Sequence, residues 1–80
     1  MQREEILVFI RENLAEISDN ENLAITEVST PDSTPGWDSV NHMKLLFSLE
    51  ELGISFEVSE LTLPVDMAAL VDLIQGKQPV

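Results

Sequence analysis

Pro35-Gly36-Trp37-Asp38-Ser39-Val40-Asn41-His42-Met43 runs on into Lys44-Leu45-Leu46-Phe47-Ser48-Leu49-Glu50-Glu51-Leu52-Gly53, and the reading of this stretch decides the fold. The Pro-Gly pair marks a turn that closes an irregular segment. Asp38 is a good N-cap residue, and apolar residues then recur at helical spacing as far as Gly53. Glycine is the residue type expected just past a helix C-terminus. The pattern predicts a helix over residues 39–52. It carries the Ser39 hydroxyl on its first turn, where the aligned peptide dipoles favour an anionic group. Serine at a helix start is also a cap in its own right, and the sequence does not separate Asp38 from Ser39 in that role.

The helical wheel of this stretch has two apolar stripes. At 100° per residue, Leu45, Leu46, Leu49 and Leu52 fall on one. Val40, Met43 and Phe47 fall on another, with Ser39 and Glu50 between the two. One stripe is enough to bury a helix in a small bundle. The second either widens the core contact or stays partly exposed as a docking surface. The acidic neighbours Glu50 and Glu51, and the proximity of Ser39, favour docking.

Upstream, residues 2–17 read as a first helix, with Ile6, Ile10, Leu14 and Ile17 at intervals of four and three and Leu7 beside them. Phe9 is an extra apolar position at the edge of the core, and Ser18-Asp19-Asn20 breaks the pattern. Residues 18–38 have no convincing period, and a connection this long in a small domain is expected to be functional. Leu23, Ile25 and Val28 are expected to tack it onto the core, residues 21–24 admit a helical turn, and Pro31 and Pro35 stiffen its second half. Trp37, the only tryptophan, is read as a packing anchor that pins this loop.

Downstream, Ile54-Ser55-Phe56 alternates too briefly for an independent strand. Residues 58–61 fit one short helical turn, closed by Thr62-Leu63-Pro64. Asp66 is an N-cap candidate for a last helix whose apolar face is Met67, Leu70, Val71 and Ile74, with Leu73 adjoining. Gly76 is expected to end it, leaving Lys77-Gln78-Pro79-Val80 as a frayed tail. The predicted architecture is all-α, one domain over residues 1–80: a small four-helix bundle of three principal helices and one short one, with a long loop after helix one.

Composition narrows the function. Eighty residues supply one modest core, and the chain has no cysteine with which to add a disulfide. A single histidine and dispersed carboxylates make no transition-metal cluster. Fifteen acidic residues against four basic ones leave a net charge of −11. Nucleic acid and anionic membrane surfaces would repel such a chain, while partners with basic patches would be steered to it. No apolar run approaches the roughly 18–20 residues that span a bilayer. The N-terminus lacks the basic start of a signal peptide, so a soluble, cytoplasmic protein is expected.

A hydrolytic reading fares poorly. The one base available to Ser39 is His42, about 60° away on the same wheel and near the leucine stripe. No third group is identifiable to orient it, and no oxyanion hole. His42 reads instead as a partly buried helix residue with a satisfied hydrogen bond, its alternative role being to line the rim of a ligand cavity.

Asp38-Ser39-Val40 resembles the Asp-Ser-Leu/Val/Ile motif of the acyl carrier protein family. The resemblance continues through Trp37 to Met43, through Leu49-Glu50-Glu51-Leu52-Gly53-Ile54-Ser55-Phe56, and through Asp66 to Ile74, which looks like the family's last helix. It implies a monomeric carrier with no catalysis of its own. The serine of the family is modified by a phosphopantetheinyl transferase, which moves 4′-phosphopantetheine from coenzyme A with the help of Mg²⁺. Acyl groups then ride as thioesters on the arm, in fatty acid, polyketide or related biosynthesis. The resemblance makes Ser39 the attachment site, and it makes Asp38, Val40, Met43, Phe47, Glu50 and Glu51 the contacts for acyl-loading and acyl-processing enzymes with basic docking patches.

Two departures stand out. Many fatty-acid carriers have acids at the second and fifth positions after the serine, where this chain has Asn41 and Lys44. The Gly36-Trp37 lead and His42 look more like discrete carriers of polyketide or specialised pathways. Aminoacyl and peptidyl carriers resemble the fold too, but usually carry Gly-Gly-(His/Asp)-Ser where this sequence has Gly-Trp-Asp-Ser. Outside the carrier class, an unmodified acidic helical interaction module would use the same stripe of helix two.

Overall fold

A computed structural model describes residues 2–77. Among these the chain is all-helical, with no strand: α1 (Arg3–Ile17), α2 (Ser39–Glu50), a three-residue 3-10 turn (Val58–Glu60) and α3 (Met67–Lys77). Helix α1 packs against both α2 and α3.

The apolar periodicity of each helix is what packs. Ile6, Ile10 and Leu14 of α1 meet Leu45, Leu46 and Leu49 of α2 and Met67, Leu70, Val71 and Ile74 of α3 in one buried cluster. Burying a side chain of this size contributes about 1.5–3 kcal/mol. Leu7, Phe9 and Ile17 pack at its edge. From the long loop, Leu23, Ile25 and Trp37 join it as expected, but Val28 is 82% exposed and anchors nothing.

The helix ends follow local chemistry. At the start of α1, Glu5 Oε1 accepts the backbone N–H of Gln2 at 2.9 Å. At its end Asp19 takes a left-handed φ of 55°, and the N–H groups of Asp19 and Asn20 donate to the carbonyls of Glu16 and Ala15. That pattern is a Schellman motif with Asp in the position glycine usually holds. Helix α2 ends the same way around Gly53, whose φ is 91°, with Gly53 N donating to Glu50 O and Ile54 N to Leu49 O. The motif terminates the helix two residues before the predicted boundary. Leu52 therefore leaves the leucine stripe and is 56% exposed, while Ile54 turns inward to take its place.

The loop of residues 18–38 is held by groups distant in sequence. The carbonyls of Ser29 and Glu27 accept the N–H groups of Met67 and Ala68 at 2.8 and 2.9 Å, which satisfies two of the free donors that open α3. A third, Ala69 N, donates to Asp66 Oδ1 at 2.9 Å, so Asp66 is the cap it was expected to be. Arg3 clamps the assembly. Its guanidinium is paired with Glu27 and Asp72 and donates to Gln75 Oε1 at 2.8 Å.

Three expectations are corrected. The short helix at 58–61 is only the 3-10 turn Val58–Glu60, which buries none of its residues and so has no apolar face to drive it further. The helical turn expected near 21–24 is a hydrogen-bonded turn one residue earlier, Leu23 N donating to Asn20 O, with no helix assigned there. Gly76 does not end α3, which runs on through Lys77, and Lys77 is no frayed residue. Its ammonium pairs with Glu60 at 2.6 Å and lies 5.3 Å from the Phe56 ring centre. The rest of the expected tail, residues 78–80, lies outside the described residues.

Candidate functional site

The start of α2 is stapled to the loop before it. Asp38 has an extended backbone, and its Oδ1 accepts the N–H of Asn41 at 2.8 Å. The Asn41 side chain reaches back and donates from Nδ2 to Gly36 O at 2.7 Å. At the next residue, His42 Nδ1 accepts the indole N–H of Trp37 at 3.2 Å. Capping therefore belongs to Asp38. Ser39, the first helical residue, is exposed, and among the described residues its hydroxyl enters no hydrogen bond.

Gly36 explains how the staple is seated. Its φ is 87°, and a Cβ there would stand 2.5 Å from the Ser18 Cβ at the end of α1. The loop thus presses its backbone onto α1 while Trp37, 2% exposed, fills the core beneath. Ser18 is itself fixed, because its Oγ donates to Leu14 O at 2.6 Å. Sequence reasoning found Trp37 as an anchor but missed Asn41 and Ser18. Nothing in the sequence signals that Ser18 lies against Gly36.

The remaining candidates lie where the wheel put them. Val40, Met43 and Phe47 are 64%, 38% and 51% exposed, and Glu50 and Glu51 are exposed beyond them. Ser39 adjoins this stripe, so an accessible hydroxyl, three apolar side chains and two carboxylates share one side of α2. Lys44 is also exposed on this helix. Met43 and Phe47 on the surface of a helix whose opposite side is fully buried are not needed for the core, which three leucines and His42 already fill.

His42 is 1% exposed and belongs to the core, not to the rim of a cavity. Burial pushes its pKa below the ordinary 6.5. The ring is neutral near pH 7, and the bond from Trp37 assigns its proton to Nε2. With Nδ1 occupied and the ring buried while Ser39 is exposed, the hydrogen bond of a nucleophile–base pair is not among those of the described residues. What the site offers chemically is an exposed hydroxyl at the positive end of a helix dipole, unengaged among the described residues.

No family model, no curated protein and no solved structure matches this chain.

Proposed function

We propose that this chain is an acyl carrier protein whose Ser39 bears a 4′-phosphopantetheine arm. The observation that carries the proposal is the division of labour at the start of α2. Asp38 satisfies the free N–H, and Ser39 is left exposed, unbonded and beside an exposed Val40–Met43–Phe47 stripe. In this reading the 3-10 turn stands for the short third helix of a four-helix carrier bundle. The protein works as a cytoplasmic monomer, and catalysis lies with its partners.

The residues fit the group. The Ser39 oxygen is open to solvent, and a phosphodiester on it would lie next to the free N–H groups of the first turn, where negative charge is favoured by about 0.3–1 kcal/mol. Asp38 turns its carboxylate to Asn41 N, which moderates repulsion of that phosphate. The arm, when attached, supplies a thiol for thioester exchange, and the chain has no cysteine to compete with it. The stripe and the two carboxylates then orient the carrier on a phosphopantetheinyl transferase and on acyl-processing enzymes with basic patches.

The experiment is the intact mass after incubation with coenzyme A, Mg²⁺ and a broad-specificity phosphopantetheinyl transferase. A gain of one phosphopantetheine, mapped to the Ser39 peptide and lost in Ser39→Ala, is the expected result. No gain, with the chain folded and the transferase active on a control carrier, overturns the reading. The exposed stripe would then favour a second one, an unmodified acidic interaction module that Ser39→Ala leaves fully functional.

A further inference from the structure

The outward side of α1 carries a second surface, which the Ser39 reading does not use. Glu4, Glu5, Val8, Phe9 and Glu12 line an open groove of about 470 Å³ there. The volume lies within the roughly 300–1,000 Å³ of ligand sites, but such sites enclose their ligands and this one does not. Val8 is 53% exposed, and Phe9 is partly buried against the core, so an apolar floor continues from the core to the surface.

Among the described residues, the carboxylates at the rim of this groove have no cationic partner. Arg3 is held by Glu27, Asp72 and Gln75, and Arg11 reaches the carbonyl of Glu21. No ion pair among the described residues includes Glu4, Glu5 or Glu12. Their field adds to that of a chain with a net charge of −11.

Charge selects the occupant. A second copy of the chain would bring the same carboxylates against these, and anionic lipid or nucleic acid would be repelled likewise. An apolar side chain flanked by lysine or arginine meets both demands, resting on Val8 and Phe9 while its cations reach the glutamates. Glu4 and Glu12 stand eight residues apart with Val8 midway on the floor between them, so the rim runs about 12 Å along the helix, some two turns. A partner helix laid along α1 presents its own residues at the same spacing. We propose that the α1 groove docks a basic amphipathic helix of a partner protein. It does so independently of Ser39, leaving the exposed side of α2 free.

The test is an NMR titration of the full ¹⁵N-labelled chain with a synthetic amphipathic helical peptide in which lysines flank a leucine stripe. A matched peptide with glutamates in place of the lysines is the control. The expected result is saturable shifts centred on Val8, Phe9 and Glu12. Val8→Lys and the double variant Glu4→Lys/Glu12→Lys should each weaken binding about tenfold, while Phe47→Lys leaves it unchanged. The substituted side chains are exposed, and the amide spectrum verifies the fold. Glu5 is left alone because it accepts the N–H of Gln2. Three results overturn the proposal: no saturable binding, equal binding of the glutamate peptide, or shifts centred on Val40, Met43 and Phe47. A fourth is self-association of the free chain that Val8→Lys abolishes, which would make a second copy the occupant.

Discussion

The indole N–H of Trp37 donates to Nδ1 of His42 across 3.2 Å, and both rings are buried. The rings are tilted by 46° with centres 6.2 Å apart, so the hydrogen bond, more than stacking, defines the contact. It ties the end of the long loop to the first turns of α2, on the inner side of the helix whose outer side bears Ser39. Trp37→Phe keeps most of the packing but leaves the imidazole acceptor unpaired in the core. The expected loss is about 1–3 kcal/mol in urea unfolding, the cost of an unsatisfied buried polar group. A loss within experimental error would mean that the ring alone, not its N–H, holds the loop.

The same bond makes the fold sensitive to pH with a definite sign. Nδ1 accepts only while it is unprotonated, and burial holds the His42 pKa below 6.5 in the folded chain. The unfolded chain regains the ordinary value, so between the two values it binds more protons than the folded one. The contribution of His42 to stability is therefore complete above the ordinary value and is lost as pH falls towards the folded one. His42 is the only histidine, so its ring resonances report directly. Their NMR titration midpoint is expected below 6.5. A midpoint at or above that value would contradict the buried, neutral ring.

Two glycines with similar backbones should respond very differently to alanine. Gly36 and Gly53 have φ of 87° and 91°, but a Cβ at Gly36 meets Ser18 at 2.5 Å while one at Gly53 meets nothing within 4 Å. Gly53→Ala bears the left-handed backbone alone, about 1 kcal/mol. Gly36→Ala adds a collision with a Cβ fixed near the α1 backbone, and should cost well above 2 kcal/mol or displace the loop. Thermal unfolding of the two variants separates the terms. Equal losses would mean that the loop slides off Ser18 at little cost.

The legible parts of this chain were those whose signals are local. In α2, the Asp38-Ser39 start, the leucine spacing and Gly53 lie within one stretch, and the helix and its buried stripe follow from them, while the choice of cap and the exposure of the second stripe did not. The loop of residues 18–38 was illegible because its order comes from distant groups: Ser29 and Glu27 on the α3 N–H groups, Arg3 on Glu27, Gly36 on Ser18. Such contacts leave no period in the sequence. Leu52 was assigned to the core by spacing, but the wheel has no way to register that a Schellman motif ends the helix before it. Val8 is hidden for a different reason: it lies in the unbroken apolar run Ile6–Ile10, which masks its place on the polar side of the wheel.

At Asp38, capping and charge can be separated. Asp38→Ala removes the acceptor for Asn41 N and should cost about 1 kcal/mol of stability. Asp38→Asn keeps a side-chain oxygen in place and should cost a few tenths at most. If the chain is a carrier, Asp38→Asn should still slow modification of Ser39, because a charge beside the hydroxyl is gone while the helix start is intact. A normal rate in Asp38→Asn, with a reduced one in Asp38→Ala, would assign the residue to capping alone.

The exposed side of α2 offers the sharpest separation of binding from folding. Phe47 is 51% exposed, and Glu50 and Glu51 enter no ion pair among the described residues. Phe47→Ser and Glu50→Lys/Glu51→Lys should each change stability by no more than about 0.5 kcal/mol, as surface substitutions do. If the chain is a carrier, their effects on transferase-catalysed modification should differ in kind. The charge reversal slows encounter, so its effect should be large at low salt and shrink as the screening length falls to about 10 Å near 0.1 M salt. Loss of the Phe47 ring removes an apolar contact from the docked complex, so its effect should persist at high salt and fall on the dissociation rate. Modification rates measured across a salt series for both variants decide the matter. If the two respond to salt alike, or neither departs from the unsubstituted chain, this side of α2 is not where the partner docks.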